Sequence, residues 1–529
     1  MTETKHRSSE SGRPTDYADV VGAGAVARKT AMERKEGGIY LTPVSVADFI
    51  AAQISFSGGV VRILDPAAGS GTLLCAAVER LVSTCKSFRE AEITAYETDP
   101  NLQVALTDAL DNLRRWASER HVQIRVLIEK NDFVLAHSEL LGTNRRLFQT
   151  PAINPFDLVI ANPPYFKLSK VPGRQQNQST VIRDQPNIYT LFMAAGAELL
   201  KDGGELLFIV PRSFASGPYF RSFRESFFGK VRPVRVHIFG SRRDAFGRDA
   251  VLQENIIFKG VRDRRWPQSN ERFMLCVSST GGISDLDKVR ERNLPLDRAL
   301  SMATSSKVLR LPLQRKEDEA VELVDSWTGS LHEYGMEIST GPVVPFRAAE
   351  LLDDTGCPAN RYAPLIWMHH VHAMRISFPN GTRKPQFIEK RASERSLLIP
   401  NRNYVFLRRF SAKEEARRLV AAPWLKGFAA SPLLGIENHL NYIYRLSGEL
   451  DEREAYGLAA LLCSELLDTY FRVSSGNTQV SATELRAMPL PPHETILAIG
   501  HRAKELNRVG DELEEIVRDA INAAIEKGH

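Results

Sequence analysis

Between Val60 and about Cys276 the chain alternates short β-rich runs with longer stretches in which apolar residues return every three or four positions. The short runs predict strands at Val60–Leu64, Ile93–Tyr96, Ile124–Ile128, Phe156–Ala161, Glu205–Val210, Val234–Phe239 and Asn255–Lys259. The longer stretches, among them Pro100–Glu119, Tyr189–Leu200 and Tyr219–Phe228, predict amphipathic helices. Strand and helix in alternation predict an α/β, doubly wound Rossmann-like sheet with helices on both faces. In such sheets a ligand sits at the carboxyl ends of the strands.

After about Lys307 the alternation gives way to short strands, Pro- and Gly-bearing turns and Arg-rich loops, which predicts a second, mixed α+β domain. It closes with a helix over Glu452–Val473, a turn at Ser474–Asn477, prolines between Pro489 and Pro492, and a helical segment from about Glu494 to Glu526. The first ~30 residues are polar and predict a loose arm followed by a short helix. The expected division is therefore 1–35 arm and helix, 36–300 catalytic domain, 301–492 second domain and 493–529 C-terminal helical segment.

A length of 529 residues, with 43% apolar and 25% charged, is that of a multidomain globular chain. No apolar run approaches the ~20 residues that span a bilayer, and Met1–Asp16 has no hydrophobic stretch of a signal peptide, so the expected location is the cytoplasm, with no membrane partner. Five cysteines, never spaced C-x-x-C, encode neither a disulfide framework nor a zinc site, and no metal is expected. A net charge of +5 is too mild to identify a partner. Arginine is clustered, however, at Arg221 and Arg224, Arg232 and Arg235, Arg242, Arg243 and Arg248, and Arg262, Arg264 and Arg265. Such clusters suit a polyphosphate backbone, although charge alone favours a solvated basic face.

The chemistry gathers at strand ends. The first strand runs into Asp65-Pro66-Ala67-Ala68-Gly69-Ser70-Gly71-Thr72 and then a helix. Gly69 and Gly71 permit a tight turn and close approach of backbone to ligand, and the helix start offers unpaired N–H groups. No Lys-Ser/Thr follows and Leu74 stands where a dinucleotide fingerprint has its third glycine, so this is a cofactor-type loop of neither pattern. The second strand ends at Glu97, placed to accept from ribose hydroxyls, and the third at Asp132-Phe133, an acceptor for an adenine amino group beside a ring that covers its face. As a set these ends point to an adenosine-bearing cofactor.

The fourth strand runs into Asn162-Pro163-Pro164-Tyr165. The Asn162 side-chain oxygen and the Pro163 carbonyl are two acceptors for the two hydrogens of an amino or amide nitrogen, and Tyr165 can stack on a planar group. Aligning the nitrogen lone pair on an electrophilic methyl is catalysis by positioning. Asn-Pro alone is a common turn; the whole tetrapeptide behind three cofactor signals favours the chemical reading.

With these residues in this order the chain resembles the gamma class of S-adenosylmethionine-dependent DNA adenine-N6 methyltransferases of Type II restriction-modification systems. The resemblance includes Gly38 to Pro43, Asn187-Ile188-Tyr189, Gly203 to Arg212 and a C-terminal target-recognition region. It implies S-adenosyl-L-methionine as cofactor, double-stranded DNA as partner, an adenine flipped from the duplex, and methylation that protects host DNA from a separate restriction endonuclease. It places Tyr40, Thr42 and Pro43 over the methionine end of the cofactor, and Asp65, Ala67, Gly69, Gly71, Glu97, Asp132 and Phe133 around the rest. Counting back from Phe258 gives Phe246 as the second ring of the base sandwich, with Phe239 as competitor. The C-terminal part resembles PstI-type modification methylases at Val405–Ser411, Gly435–Tyr442 and Ser475–Val480, which suggests Arg408, Arg409, Asn477 and Gln479 as DNA contacts.

Three alternatives remain: a methyltransferase on RNA guanine or protein glutamine with the same turn, a DNA-specificity subunit with a silent site, and a fused nuclease. About 35 residues before Lys35 are too few for a nuclease domain, so methylation without cleavage is expected. One catalytic and one recognition domain make a monomer sufficient. His369, His370 and His372 lack a nearby carboxylate or cysteine and are expected to be ordinary satisfied or surface histidines.

Overall fold

The apolar runs pair into one nine-stranded sheet. A computed structural model describes residues 12–27, 29–30, 32–34, 38–141, 155–166, 187–240, 254–268, 271–300, 302, 306–355, 360–381, 384–411, 415–475, 479–506 and 510–527. The strands are β1 (Val60–Asp65), β2 (Glu90–Tyr96), β3 (Gln123–Glu129), β4 (Phe156–Ala161), β5 (Leu200–Pro211), β6 (Val231–Phe239), β7 (Asn255–Arg262), β8 (Met274–Thr280) and β9 (Arg290–Pro295). Their order is β3-β2-β1-β4-β5-β7-β6-β8-β9, with β1 to β5 parallel and β7 antiparallel to both β5 and β6. The order reverses between β1 and β4, so the ends of those strands flank a crevice.

Both sheet faces are covered. Side chains alternate along each strand, so Val159, Phe208, Val210, Ile256 and Phe258 join one core while Leu158, Ile160, Leu207, Ile209 and Ile257 join the other. The second core receives the N-terminal helix α1 (Pro14–Ala27) through Ala18, together with α2 (Val44–Ala51), α3 (Thr72–Thr84) and α4 (Pro100–Ser118). The first receives α5 (Phe133–Ala136), α6 (Tyr189–Leu199) and α7 (Arg221–Phe227). Helix α4 shows how locally this is determined. Asp99 caps it by accepting from Asn101 and Leu102 N–H, Pro100 takes the first turn, and Leu102, Leu106, Leu110 and Leu113 bury one stripe.

The expected N-terminal helix forms and joins the sheet unit, and the border between units falls later than residue 300. Residues 14–27 are a helix tied into the sheet unit, with Arg13 bonded to both Asp48 and Glu79 and Lys29 paired with Asp99 at 2.6 Å. The chain divides into two units at Leu313 and Gln314, because Leu309 and Leu311 pack in the first unit's core.

In the second unit, Met336–Thr340, Leu440–Arg445, Tyr404–Arg408 and Ala421–Trp424 form an antiparallel sheet in that order. A five-stranded sheet holds Leu352–Asp353, Phe387–Glu389, Tyr362–Ile366, Leu433–Ile436 and Leu398–Pro400. Helices α8 (Arg315–Asp325), α9 (Glu452–Cys463), α10 (Glu465–Ser474), α11 (His493–Ala503) and α12 (Asp511–Glu526) contribute to the four-stranded sheet's core, so the segment from 493 is part of this unit. Among the described residues no helix is long and apolar enough to cross a membrane.

Candidate active site

The glycine turn is built by backbone geometry. Gly69 and Gly71 have φ of +58° and +86°, the left-handed region that glycine enters without penalty. Gly71 caps α3, and a Cβ there would come within 2.9 Å of Leu106, so its role is packing as well as turning. Asp65 accepts the Ala67 N–H at 3.0 Å, while its other oxygen is buried without a hydrogen-bond partner among the described residues. Burial pushes this carboxyl up to about 8.

Glu97 reaches back across the turn and accepts from Gly69 N–H at 2.9 Å and Asp99 N–H at 2.7 Å. Burial raises its pKa, partly offset by those bonds. The carboxylate has about four lone-pair sites, so these backbone donors leave acceptor capacity for a hydroxyl group. Asp132 caps α5 by accepting Leu135 N–H, and the buried Phe133 ring stacks on Phe192 with centroids 5.5 Å apart.

These residues meet in a cleft. Of the expected cofactor set, Tyr40, Ala67, Gly69, Glu97, Asp132 and Phe133 line it, together with Asn162 and Pro164. Thr42, Pro43, Asp65 and Gly71 are not among its lining residues. The sequence reading missed Ile39, Leu41, Tyr96, Asn131, Phe166 and Phe192, which also line the cleft. Phe192 falls on the helical spacing of α6 and reads as core. Phe166 directly follows the tetrapeptide, and Gly38, with φ of +63° and no room for a Cβ beside Pro164, was the available sign that the two segments touch.

Asn162 is fixed from two sides. Its amide nitrogen donates to Tyr40 O and Thr42 Oγ1, both at 3.1 Å, and its oxygen accepts from Tyr165 OH at 2.6 Å. Because Tyr40 O can only accept, the atom facing it is the nitrogen, and the oxygen is left as the acceptor with one lone pair unclaimed. The Tyr165 hydroxyl also lies 2.8 Å from Ile209 O, and burial holds the phenol well above its usual range, so it remains a donor. Its ring meets Tyr189 edge-on. Thr42 and Tyr40 thus orient Asn162, a role the resemblance did not assign them.

The base-sandwich candidates separate. Phe239 is 2% exposed in the sheet core, edge-on to His237, whereas Phe246 lies outside the described residues. Beyond the paired ends of β5 and β7, Arg212 and Glu254 form a buried ion pair at 3.0 Å.

In the second unit the three C-terminal stretches converge. Arg409 N–H donates to His439 O, Phe410 bridges to Gln479, and Val480 N–H donates to Arg409 O. Gln479 is exposed, Arg409 is half-buried and donates to Asn438 O, Arg408 Nε donates to Val371 O at 2.6 Å, and Asn477 lies outside the described residues. His370 is buried, accepts Trp367 N–H and faces Asn380, and burial lowers its pKa to about 4. Among the described residues no group of three His, Cys, Asp or Glu side chains is arranged to hold a metal.

The strand order with an antiparallel seventh strand, and a glycine-turn cleft at its switch point, define a class I methyltransferase. Residues 73–246 match the family described as Eco57I restriction-modification methylase. The chain is 31% identical over 475 residues to Type II methyltransferase M.BsuBI of Bacillus subtilis, covering 88% of this chain and 90% of that protein. It is 30% identical over 489 residues to Type II methyltransferase M.PstI of Providencia stuartii, covering 92% and 93%. The type IIG restriction endonuclease BpuSI aligns with 97% of this chain and 68% of its own, at 13% identity and a TM-score of 0.43. The chain belongs to the Type II restriction-modification methyltransferases, and is a DNA methyltransferase.

Proposed function

We propose that the chain methylates N6 of adenine at a defined DNA site, with S-adenosyl-L-methionine as methyl donor, and so protects host DNA from a separate restriction endonuclease. The observation that carries this reading is the orientation of Asn162, whose nitrogen is occupied by Tyr40 and Thr42 and whose oxygen keeps a lone pair. That oxygen and the Pro163 carbonyl accept the two amino hydrogens of a flipped adenine, Tyr165 lies against one face of the base, and Phe246 is assigned to the other. Pro164 stiffens the turn.

The cofactor fits the cleft on three counts: the close-approach turn at Gly69, the buried unpaired Asp65 oxygen, and the acidic residues Glu97 and Asp132 at successive strand ends. When bound, S-adenosylmethionine supplies an electrophilic sulfonium methyl. Glu97 accepts from ribose hydroxyls, Asp132 and Phe133 hold the adenine ring, and Tyr40 to Pro43 cover the opening. The amine attacks as positioned and releases its proton after transfer, so no general base is required. Arg408, Arg409, Asn477 and Gln479 are assigned to DNA. One catalytic and one recognition unit suffice in a monomer.

The test is expression in a host lacking adenine methylation, with modified bases read along the genome by single-molecule sequencing. N6-methyladenine at every copy of one short motif is the expected result. Bare adenines together with intact cofactor binding would transfer the reaction to RNA guanine or protein glutamine.

A further inference from the structure

The turn Glu437-Asn438-His439 carries a pairing that the assigned DNA contacts leave unexplained. Glu437 is 1% exposed, and among the described residues no hydrogen-bonding group other than the His439 imidazole reaches its carboxylate oxygens. Its ion-pair neighbour among the described residues is the Nδ1 of His439, a residue whose side chain is 47% exposed. A carboxylate kept this far from water is costly unless it is paired, so the interaction that compensates it also fixes the imidazole.

The turn itself is rigid. Glu437 N–H donates to Ile366 O at 3.0 Å and Asn438 N–H to Val343 O at 2.9 Å. Gly341 packs so closely that a Cβ there would lie 2.3 Å from the Glu437 carbonyl oxygen. The His439 ring stands edge-on to Phe410 with centroids 5.0 Å apart, and its backbone pairs with that of Arg409. With Nδ1 committed inward, Nε2 is the ring atom presented to solvent, beside Arg409 and near the exposed Gln479.

We propose that His439, held by buried Glu437, reads a base edge in the recognition site through Nε2, as part of one surface with Arg409 and Gln479. The inference rests on the DNA-methylation reading above. A pre-oriented ring on a tight turn between two strands discriminates better than a solvated side chain, because its direction is set before DNA arrives.

The experiment reads the methylated motif in genomes expressing wild type, His439→Ala, His439→Asn, His439→Gln and Glu437→Gln, with kcat/KM on a cognate duplex for each purified protein. The amide nitrogen of Asn reaches the Nδ1 position and can satisfy Glu437 without replacing Nε2, whereas that of Gln reaches the Nε2 position. His439→Ala and His439→Asn are expected to relax one motif position and lower cognate kcat/KM by about ten- to a hundredfold, with cofactor affinity within about twofold of wild type. His439→Gln keeps part of the discrimination, and Glu437→Gln shows the same relaxation more weakly. Full rescue by Asn would make the ring a mere partner for Glu437 and overturn the proposal. An unchanged motif with uniformly weaker methylation would mark a phosphate contact and overturn it too. Absence of any defined motif from wild type would instead sink the parent reading, and this inference with it.

Discussion

Asn162 is bonded at both ends of its amide, and that changes what its removal does. From sequence, Asn162→Ala is expected to stop turnover and leave cofactor binding intact. With its nitrogen holding Tyr40 O and Thr42 Oγ1, truncation also frees the Tyr40–Thr42 segment, of which Tyr40 and Leu41 line the cleft. The expected result is a fall in kcat of about a thousandfold with several-fold weaker S-adenosylmethionine binding, by single-turnover kinetics and calorimetry. Thr42→Val removes one of the two acceptors and is expected to cost about tenfold in kcat, with cofactor affinity little changed. Equal losses in kcat and cofactor affinity for Thr42→Val would refute its orienting role.

Asp65 adds a pH dependence with a definite sign. Its pKa of about 8 in the folded chain lies far above the ~4 of an unfolded one, so the native state retains a proton that the unfolded chain gives up. The stability this provides is full below about pH 4 and is lost as the pH rises towards 8. Asp65→Asn, neutral throughout, should show no such loss. The Tm of cofactor-free wild type measured against this variant is expected to fall from pH 5 to pH 8, and a flat difference would count against a buried carboxyl.

At the scale of elements, strands were legible because β4 is flanked in sequence by two Asn-Pro dipeptides and carries the apolar run Leu158–Ala161; it runs Phe156–Ala161 as expected. The ends were less so. β5 begins at Leu200 rather than Glu205, since Leu200 pairs with Phe156 of β4 ahead of a register shift, which carries the strand through polar residues that local preference leaves out, whereas β7 pairs with it from Glu205 onward. The segment expected as one helix over Glu452–Val473 is two, α9 and α10, because Ser464 leaves helical geometry and caps the second by accepting Leu467 N–H. Strand β9 (Arg-Glu-Arg-Asn-Leu-Pro) was illegible, as only two of its six residues are apolar and it lies at the sheet edge. The cofactor loop was readable since its function requires particular residues at fixed spacing. The hold of Tyr40 and Thr42 on Asn162 joins residues about 120 positions apart, which no local pattern encodes.

The docking of α1 was equally hidden and gives an element-scale prediction. A Cβ on Gly22 would lie 2.4 Å from Ser70 Oγ and 2.6 Å from Ser70 Cβ, so the helix meets the glycine loop at a point that admits no side chain. Gly22→Ala forces helix or loop to move, at a cost of about 1–3 kcal/mol. The expected signature is a lower Tm with cofactor affinity reduced more than in an exposed control such as Gly24→Ala, where nothing lies within 4 Å.

For the whole molecule, each unit carries its own acid sensitivity. His237 lies between Ser278 and Thr280 hydroxyls in the first unit, His370 is buried in the second, and burial brings both down to about 4. An unfolded chain takes up those protons near pH 6.5, so this contribution is present above that value and is lost as the pH falls through 4. The units differ in what holds them together. Helices α9 and α11 approach until a Cβ on Gly457 would lie 2.0 Å from Ile496 O, and one on Gly500 1.8 Å from Arg453 O. Backbone contact this close leaves nothing flexible to give way, so Gly500→Val forces the helices apart and opens the core around Leu458, Ile496 and Ile499. Cofactor residues all belong to the first unit, and the assigned DNA contacts to the second. Gly500→Val is therefore expected to abolish site-specific methylation while S-adenosylmethionine binding by calorimetry stays near the wild-type value. Loss of both together would mean that the first unit's cleft depends on the second unit's core.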